Sequence, residues 1–226
     1  MADVIIDKII RTKRKTIALI INDEAQLIIR APIKASTKYI EKVVYEKRNW
    51  IKNKQELIKR RNKNYMPKKY IDGEGFLILG ENYSLKIISD SIKDIIFDGK
   101  QLLFPRSYLF NAERHMLNWY KRQSKELINK RVKYFSNLLN IKYNAVKITD
   151  ARKRWGSCSA KGNLNFSWRI YMAPIIVLDY VVVHELMHVL FHNHSKEYWD
   201  KVRTVMPDYK KHKQWLNDNQ KVMNIT

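Results

Sequence analysis

Tyr180-Val181-Val182-Val183-His184-Glu185-Leu186-Met187-His188-Val189-Leu190-Phe191 carries two histidines four residues apart inside an apolar run. On a helix that spacing stacks both imidazoles on one face, where they can grip one metal ion. Glu185 is turned roughly 100° away from His184, because a helix has 3.6 residues per turn. It is badly placed as a ligand and well placed to reach a water on an open metal position. Surface histidines would sit among lysines and acids, yet Glu185 is the only Asp, Glu, Lys or Arg in this run. The helix is therefore expected to be buried, and buried polar side chains need partners. A metal supplies one. The pattern predicts a zinc-dependent hydrolase with Glu185 as general base, and a peptidase before other hydrolases.

Two ligands do not complete a catalytic zinc site, which commonly has three plus a water. His192 continues the four-residue spacing but would lie about 12 Å from His184 along the axis, at 1.5 Å per residue. One ion with ~2.0–2.1 Å bonds to nitrogen cannot span that gap. His194 is favoured instead. Asn193 is suited to a left-handed helix stop, and Ser195 to the N-cap of a new helix near Lys196. A turn at Asn193 would return His194 to the other pair. The expected ligands are His184, His188 and His194, with His192 at the surface or behind them. Tyr198 and Trp199 are expected to pack the new helix on the ligand turn, and Asp179 has no assigned role.

The chain has 226 residues and a formal net charge of +22, with 45% hydrophobic residues. That composition suits a globular protein rather than a disordered one. One cysteine, Cys158, excludes an intrachain disulfide framework and a cysteine zinc ribbon. No apolar stretch has the length of a membrane span or the pattern of a signal peptide, so a cytoplasmic location is the expectation. The positive charge concentrates in two stretches. Lys38–Lys69 holds 12 Lys/Arg against 3 Glu, and Lys121–Ile170 holds 13 against 2 acids. The first reads as a solvated helix face. The second runs into a motif and could attract an anionic partner, either a nucleotide or a nucleic acid.

Outward from the histidine motif, Arg11–Ala31 reads as a hairpin of strands 16–21 and 26–30 about the turn 22–25. A helix follows from Ser36 or Thr37 to about Asn62, then a basic connector, Asn62–Lys69. Phe76–Leu79, Tyr83–Ile88, Ile92–Phe97 and Leu102–Phe104 read as short strands that could join the first hairpin in one β-rich unit. Arg106–Leu139 has a long helical pattern. Val146–Thr149 and Leu164–Ile170 read as strands, Pro174 starts the motif helix, and helices follow from Lys196 and Tyr209. The fold class is α+β: an N-terminal β-rich and helical extension, 1–105, before a domain at 106–226.

Arg152-Lys153-Arg154-Trp155-Gly156-Ser157-Cys158 and Asn163-Leu164-Asn165-Phe166-Ser167-Trp168-Arg169 form a second constellation, expected to be a hairpin turning at 160–163. Beside the motif helix, such a strand could bind an extended peptide by edge pairing. Gly156 permits close backbone approach. Arg152 and Arg154 could polarise a carbonyl or hold an anion. Arg152, Arg154, Gly156, Ser157 and Asn165 are the expected substrate contacts. The bland alternative makes Trp155, Phe166 and Trp168 core and the arginines solvated. Cys158 reads as a small buried residue rather than a reactive thiol.

Arg154-Trp-Gly-Ser-Cys-Ser, Gly162-Asn-Leu-Asn-Phe, Leu178-Asp-Tyr-Val-Val-Val-His-Glu-Leu-Met-His and Asn193-His-Ser-Lys-Glu-Tyr-Trp199 together resemble the YgjP-like metallopeptidase-domain family, also called domain of unknown function 45. That family is similar to the Wss1 and SprT metalloproteases. Arg14-Lys15-Thr16 and Arg30-Ala31-Pro32 look like it too, while the stretch near 65–105 resembles it least. The family pattern H-E-L-x-H-x5-H maps onto His184, Glu185, His188 and His194. The resemblance implies a zincin-like core built from a long helix, a hairpin sheet and the HExxH helix. Met187 stands where a smaller residue is frequent, which should alter packing and not coordination.

Three functions stay open on the sequence: a peptidase, a metal-dependent hydrolase of a small anion such as a nucleotide, and a protease recruited to nucleic acid by its basic surface. A structural zinc is the non-enzymatic alternative, but it would normally have a fourth protein ligand.

Overall fold

The computed structural model describes residues 4–63, 67–89 and 92–225. The chain divides into two compact units, Met1–Tyr65 and Met66–Thr226.

In the first unit, β1 (Lys8–Thr12), β2 (Ala18–Ile21) and β3 (Leu27–Pro32) form a sheet in the order β1-β3-β2. The expected hairpin is present, with Ala18 opposite Arg30. Asn22 Oδ1 accepts hydrogen bonds from the Glu24 and Gln26 amides, which closes its turn. β1 lies parallel to β3 and was not legible as a strand. Two helices follow where one was expected: α1 (Thr37–Glu46) and α2 (Arg48–Lys63), interrupted at Lys47. Ser36 caps α1 by accepting from the Tyr39 amide. Leu27, Ile29 and Ala31 alternate onto the face that packs with Ile40, Val44 and Ile51. The connector expected at Asn62–Lys69 lies partly outside the described residues.

In the second unit, β4 (Gly75–Ile78), β5 (Glu81–Ile88), β6 (Ile96–Phe97) and β7 (Gln101–Pro105) form a sheet in the order β4-β5-β7-β6. This sheet is separate from the N-terminal one, so the single β-rich unit expected from the sequence does not form. A boundary at Pro105 is not where the compact units part. Phe76, Ile78, Leu85, Leu102 and Phe104 share a core with the helices that follow. The tip of the β4–β5 hairpin explains why. Leu79 and Gly80 both have positive φ, 50° and 91°. Their amides donate to the Tyr171 and Met172 carbonyls at 3.0 and 2.9 Å. A Cβ on Gly80 would stand 2.6 Å from Pro174 Cγ, so only glycine fits that contact.

A short 3-10 turn, Arg106–Asn111, leads into the long helix α3 (Ala112–Leu139), which ends at Asn140 in the left-handed region, φ 52°. Met116, Trp119, Tyr120, Ile128, Val132 and Phe135 make its buried stripe. β8 (Ala145–Thr149), β9 (Gly156–Cys158) and β10 (Asn163–Ser167) form a third sheet in the order β8-β10-β9. β10 runs parallel to β8 and antiparallel to β9. A 3-10 turn, Trp168–Met172, enters α4 (Ile175–Leu190), whose residues Val177–Val183 are all buried. α5 (Lys196–Val205) and α6 (Tyr209–Asn219) complete the unit. Arg131 of α3 clamps Asp179 of α4 with two 2.6 Å hydrogen bonds, which gives Asp179 a tethering role the sequence did not reveal. The architecture is α+β. Among the described residues no helix is long and apolar enough to cross a membrane.

Candidate metal centre

α4 presents His184 and His188 on one face, as the spacing predicts. The chain then turns back, but not through a left-handed Asn193. Phe191 is extended at φ −126°, ψ 114°, and ends the helix, while Asn193 is not among the positive-φ residues. Asn193 acts through its side chain: its Oδ1 accepts from the Ser195 amide at 3.1 Å. Ser195 caps α5 as expected, accepting from the Tyr198 amide. The result is the same return of the chain. His194 Nε2 stands 3.1 Å from His188 Nε2 and 3.2 Å from His184 Nε2. His192 is exposed and outside this group.

The outer nitrogens decide what those three atoms offer. His188 Nδ1 lies 2.9 Å from the Phe191 carbonyl, which can only accept, so Nδ1 carries the proton. His184 Nδ1 lies 2.6 Å from the Tyr198 hydroxyl, and that hydroxyl also donates to the His184 carbonyl at 3.1 Å. Tyr198 therefore accepts from Nδ1–H, and His184 Nε2 is a bare lone pair too. Two lone pairs converging with a third imidazole nitrogen repel unless a proton or cation sits among them. Four-coordinate zinc with ~2.0–2.1 Å bonds sets its ligand nitrogens roughly 3.3 Å apart. The three histidines fit such an ion, and nitrogen donors suit zinc. Burial, aided by the His188, His194 and Lys213 charges, pushes His184 down to about 3, so it stays neutral. Burial also lowers His194, with help from His188 and Lys213.

Glu185 is 4% exposed, and burial pushes its carboxyl up to about 8 against the opposing pull of Arg154. An uncompensated buried carboxylate is costly, and a cation beside it would offset that cost. Glu185 and His184 line one cleft of ≈ 250 Å³ together with Arg154 and Gly156. Gly156 is pressed on Glu185: a Cβ there would stand 2.5 Å from Oε1 and 2.6 Å from Cγ. Only a glycine lets the strand approach this closely.

The remaining expected contacts scatter. Ser157 pairs with Asn165 across β9 and β10, their side chains 3.4 Å apart. Strand alternation puts both on the face away from Glu185, because Gly156 faces it. Arg152 is exposed and does not line the cleft. Among the described residues β9 has a sheet neighbour on one side only. The Trp155 carbonyl and the Ser159 amide bond toward β10, so the main-chain groups of Gly156 and Cys158 face the free side. Phe166 and Trp168 are core, as the bland alternative had it, while Trp155 lines the cleft. Cys158 is half-buried, and burial, then Glu185, raises its thiol, which opposes reactivity. Arg169, at the end of the same segment, is 1% exposed and bonded to Asp150 and Asn224.

The YgjP-like metallopeptidase-domain profile matches residues 15–219. The chain belongs to the YgjP-like metallopeptidase-domain family. As a member it is a metallopeptidase in the general sense, with a peptide or protein as the class of substrate. No curated protein matches the chain. Among solved structures, the metallopeptidase zymogen abylysin of Pyrococcus abyssi is similar at 19% identity and a TM-score of 0.38. It covers 41% of this chain and 95% of its own. That likeness is partial. Tyr198 as anchor of His184, the Phe191 carbonyl and Lys213 in the cleft wall are features of this YgjP-like site that pattern reading missed.

Proposed function

We propose that this YgjP-like protein is a zinc metallopeptidase with a zincin-like site, in which His184, His188 and His194 hold the ion. The observation that carries the reading is the convergence of three Nε2 atoms beside the cleft that Glu185 lines. When bound, zinc supplies a Lewis acid that acidifies a water, polarises a carbonyl and draws Glu185 toward its ionised form. Glu185 takes a proton from the attacking water and returns it to the leaving amine. Arg154 lies in the same cleft wall, where its guanidinium can face an anionic group of the substrate. The free edge of β9 offers main-chain groups at Gly156 and Cys158 to an extended peptide. Arg152, Ser157 and Asn165 lie outside the cleft lining and have at most an outer part in binding. Tyr198 and the Phe191 carbonyl hold His184 and His188 in the tautomers a ligand needs.

Elemental analysis of wild type and His194→Ala, with His192→Ala as control, tests the ligand set. One zinc per chain should be found in wild type and the control, and be lost or much weakened in His194→Ala. Glu185→Gln should keep zinc and lose peptide hydrolysis. Full activity in that variant would remove Glu185 as the base.

A further inference from the structure

The cleft beside Glu185 is built asymmetrically in charge. Trp155, Val181 and Leu216 supply apolar wall, from the approach to β9, from α4 and from α6 respectively. Two cations join them, Arg154 from the approach to β9 and Lys213 from α6. Among the described residues Glu185 is the only carboxylate in the lining. Among the described residues neither Arg154 nor Lys213 makes an ion pair with an acid of this chain. Lys213 is not adrift, since its Nζ lies 5.3 Å from the Trp199 ring centroid. Trp199 in turn stacks on His194.

Two cations over apolar walls describe a receptor for a short alkyl chain that ends in a negative charge. A lysine or arginine of the substrate would be repelled there. A neutral side chain would cover the cations and give them nothing in return. A carboxylate would neutralise both, with its methylenes against Val181 and Leu216. We propose that the cleft selects substrates with an aspartate, a glutamate or a free C-terminal carboxylate beside the scissile bond, held between Arg154 and Lys213. This rests on the metallopeptidase reading and adds the class of peptide to it.

The test uses the full-length, zinc-loaded protein on matched fluorogenic peptides that differ only in Glu, Gln or Lys at each position flanking the cut. A peptide library with mapped cleavage sites locates the position first. At one position Glu should exceed Gln by at least about tenfold in kcat/KM, roughly 1.4 kcal/mol, with Lys lower still. Raising the salt should narrow the gap. Arg154→Glu combined with Lys213→Glu should reverse the order, so that Lys is preferred over Glu, with zinc content unchanged. Both residues are exposed, so the fold should persist, and thermal unfolding checks that. Anisotropy of labelled peptides on the metal-free protein should rank them in the same order without any turnover. Cleavage with no acidic preference, or a preference the double variant leaves intact, overturns the proposal and spares the peptidase reading. Absence of any peptide cleavage by zinc-loaded protein overturns both. Release of phosphate from a nucleoside triphosphate, lost in the double variant, would give the cleft to a phosphate anion and overturn the proposal as well.

Discussion

Tyr198→Phe deletes one oxygen and should weaken zinc binding by about 10- to 100-fold. Tyr198 is fully buried, and its hydroxyl accepts from His184 Nδ1 at 2.6 Å. With phenylalanine there, a His184 that binds the ion through Nε2 must leave Nδ1–H buried without an acceptor. That costs about 1–3 kcal/mol, and each 1.4 kcal/mol is a factor of about ten in affinity. The metal-free form escapes most of this cost. Its proton can move to Nε2, which has His194 Nε2 at 3.2 Å as acceptor. The penalty therefore falls on the loaded state and reads out as metal affinity rather than as fold stability. Metal-free Tyr198→Phe should lose only the hydroxyl's bond to the His184 carbonyl, about 0.5–1.5 kcal/mol. Competition with a chromophoric zinc chelator gives the Kd of both proteins, and urea unfolding of the metal-free forms gives the stability difference. An unchanged Kd in a folded variant would refute the assignment of Tyr198 as the residue that sets the His184 tautomer. Equal losses in both assays would make it packing alone.

Gly156→Ala places a methyl group 2.5 Å from Glu185 Oε1 and 2.6 Å from its Cγ, so the buried carboxylate must shift. A displacement near 1 Å at a catalytic group costs on the order of 100-fold in rate. Turnover should fall by that order while zinc content holds; undiminished kcat would show that Glu185 has room to spare. Asp150 gives a pH test outside the histidine group. Burial pushes its carboxyl up, but the Arg169 and Trp168 hydrogen bonds and the Arg169 and Lys121 charges outweigh that and hold it below its ordinary value. Its contribution is complete above the unfolded carboxyl value of about 3.9 and is lost as pH falls through the lower folded value. Urea titrations from pH 5 to 3 should show a shallower loss of stability in Asp150→Asn than in wild type. At pH 7 that variant should be less stable by about 2–3 kcal/mol. This is below the ~3–5 of a fully buried pair, because Asp150 is half exposed. Parallel titrations with no offset at pH 7 would deny the pair a structural role.

Much of the site was legible because it is written at short range. The four-residue spacing of His184 and His188 needs only helical geometry, and the apolar run around them dictates burial. Ser195 caps α5 through the amide three residues on, again a local event. The structure brings His194, and not His192, to the other pair, by a different route from the expected left-handed Asn193. Asn193 turns the chain through its side chain and Phe191 through an extended backbone, two solutions that composition cannot separate. The zigzag of Leu27, Ile29 and Ala31 and the long stripe of α3 were readable for the same reason: a period repeats within a few residues.

What the sequence determined by itself is therefore most of the helices and strands, the buried motif helix and the residue types able to hold a metal. The tertiary structure alone decided which distant pieces meet. It put β1 beside β3, and joined strands 75–105 to the C-terminal core through Leu79, Gly80 and Pro174. It buried Arg169, tied Arg131 to Asp179, set Tyr198 on His184 and brought Lys213 to face the cleft with Arg154. Helix and strand periods come from the backbone geometry of neighbouring residues, so a string of letters records them. Contacts between remote segments depend on how whole surfaces fit and which polar groups must be satisfied on burial, and no short window of sequence contains that information.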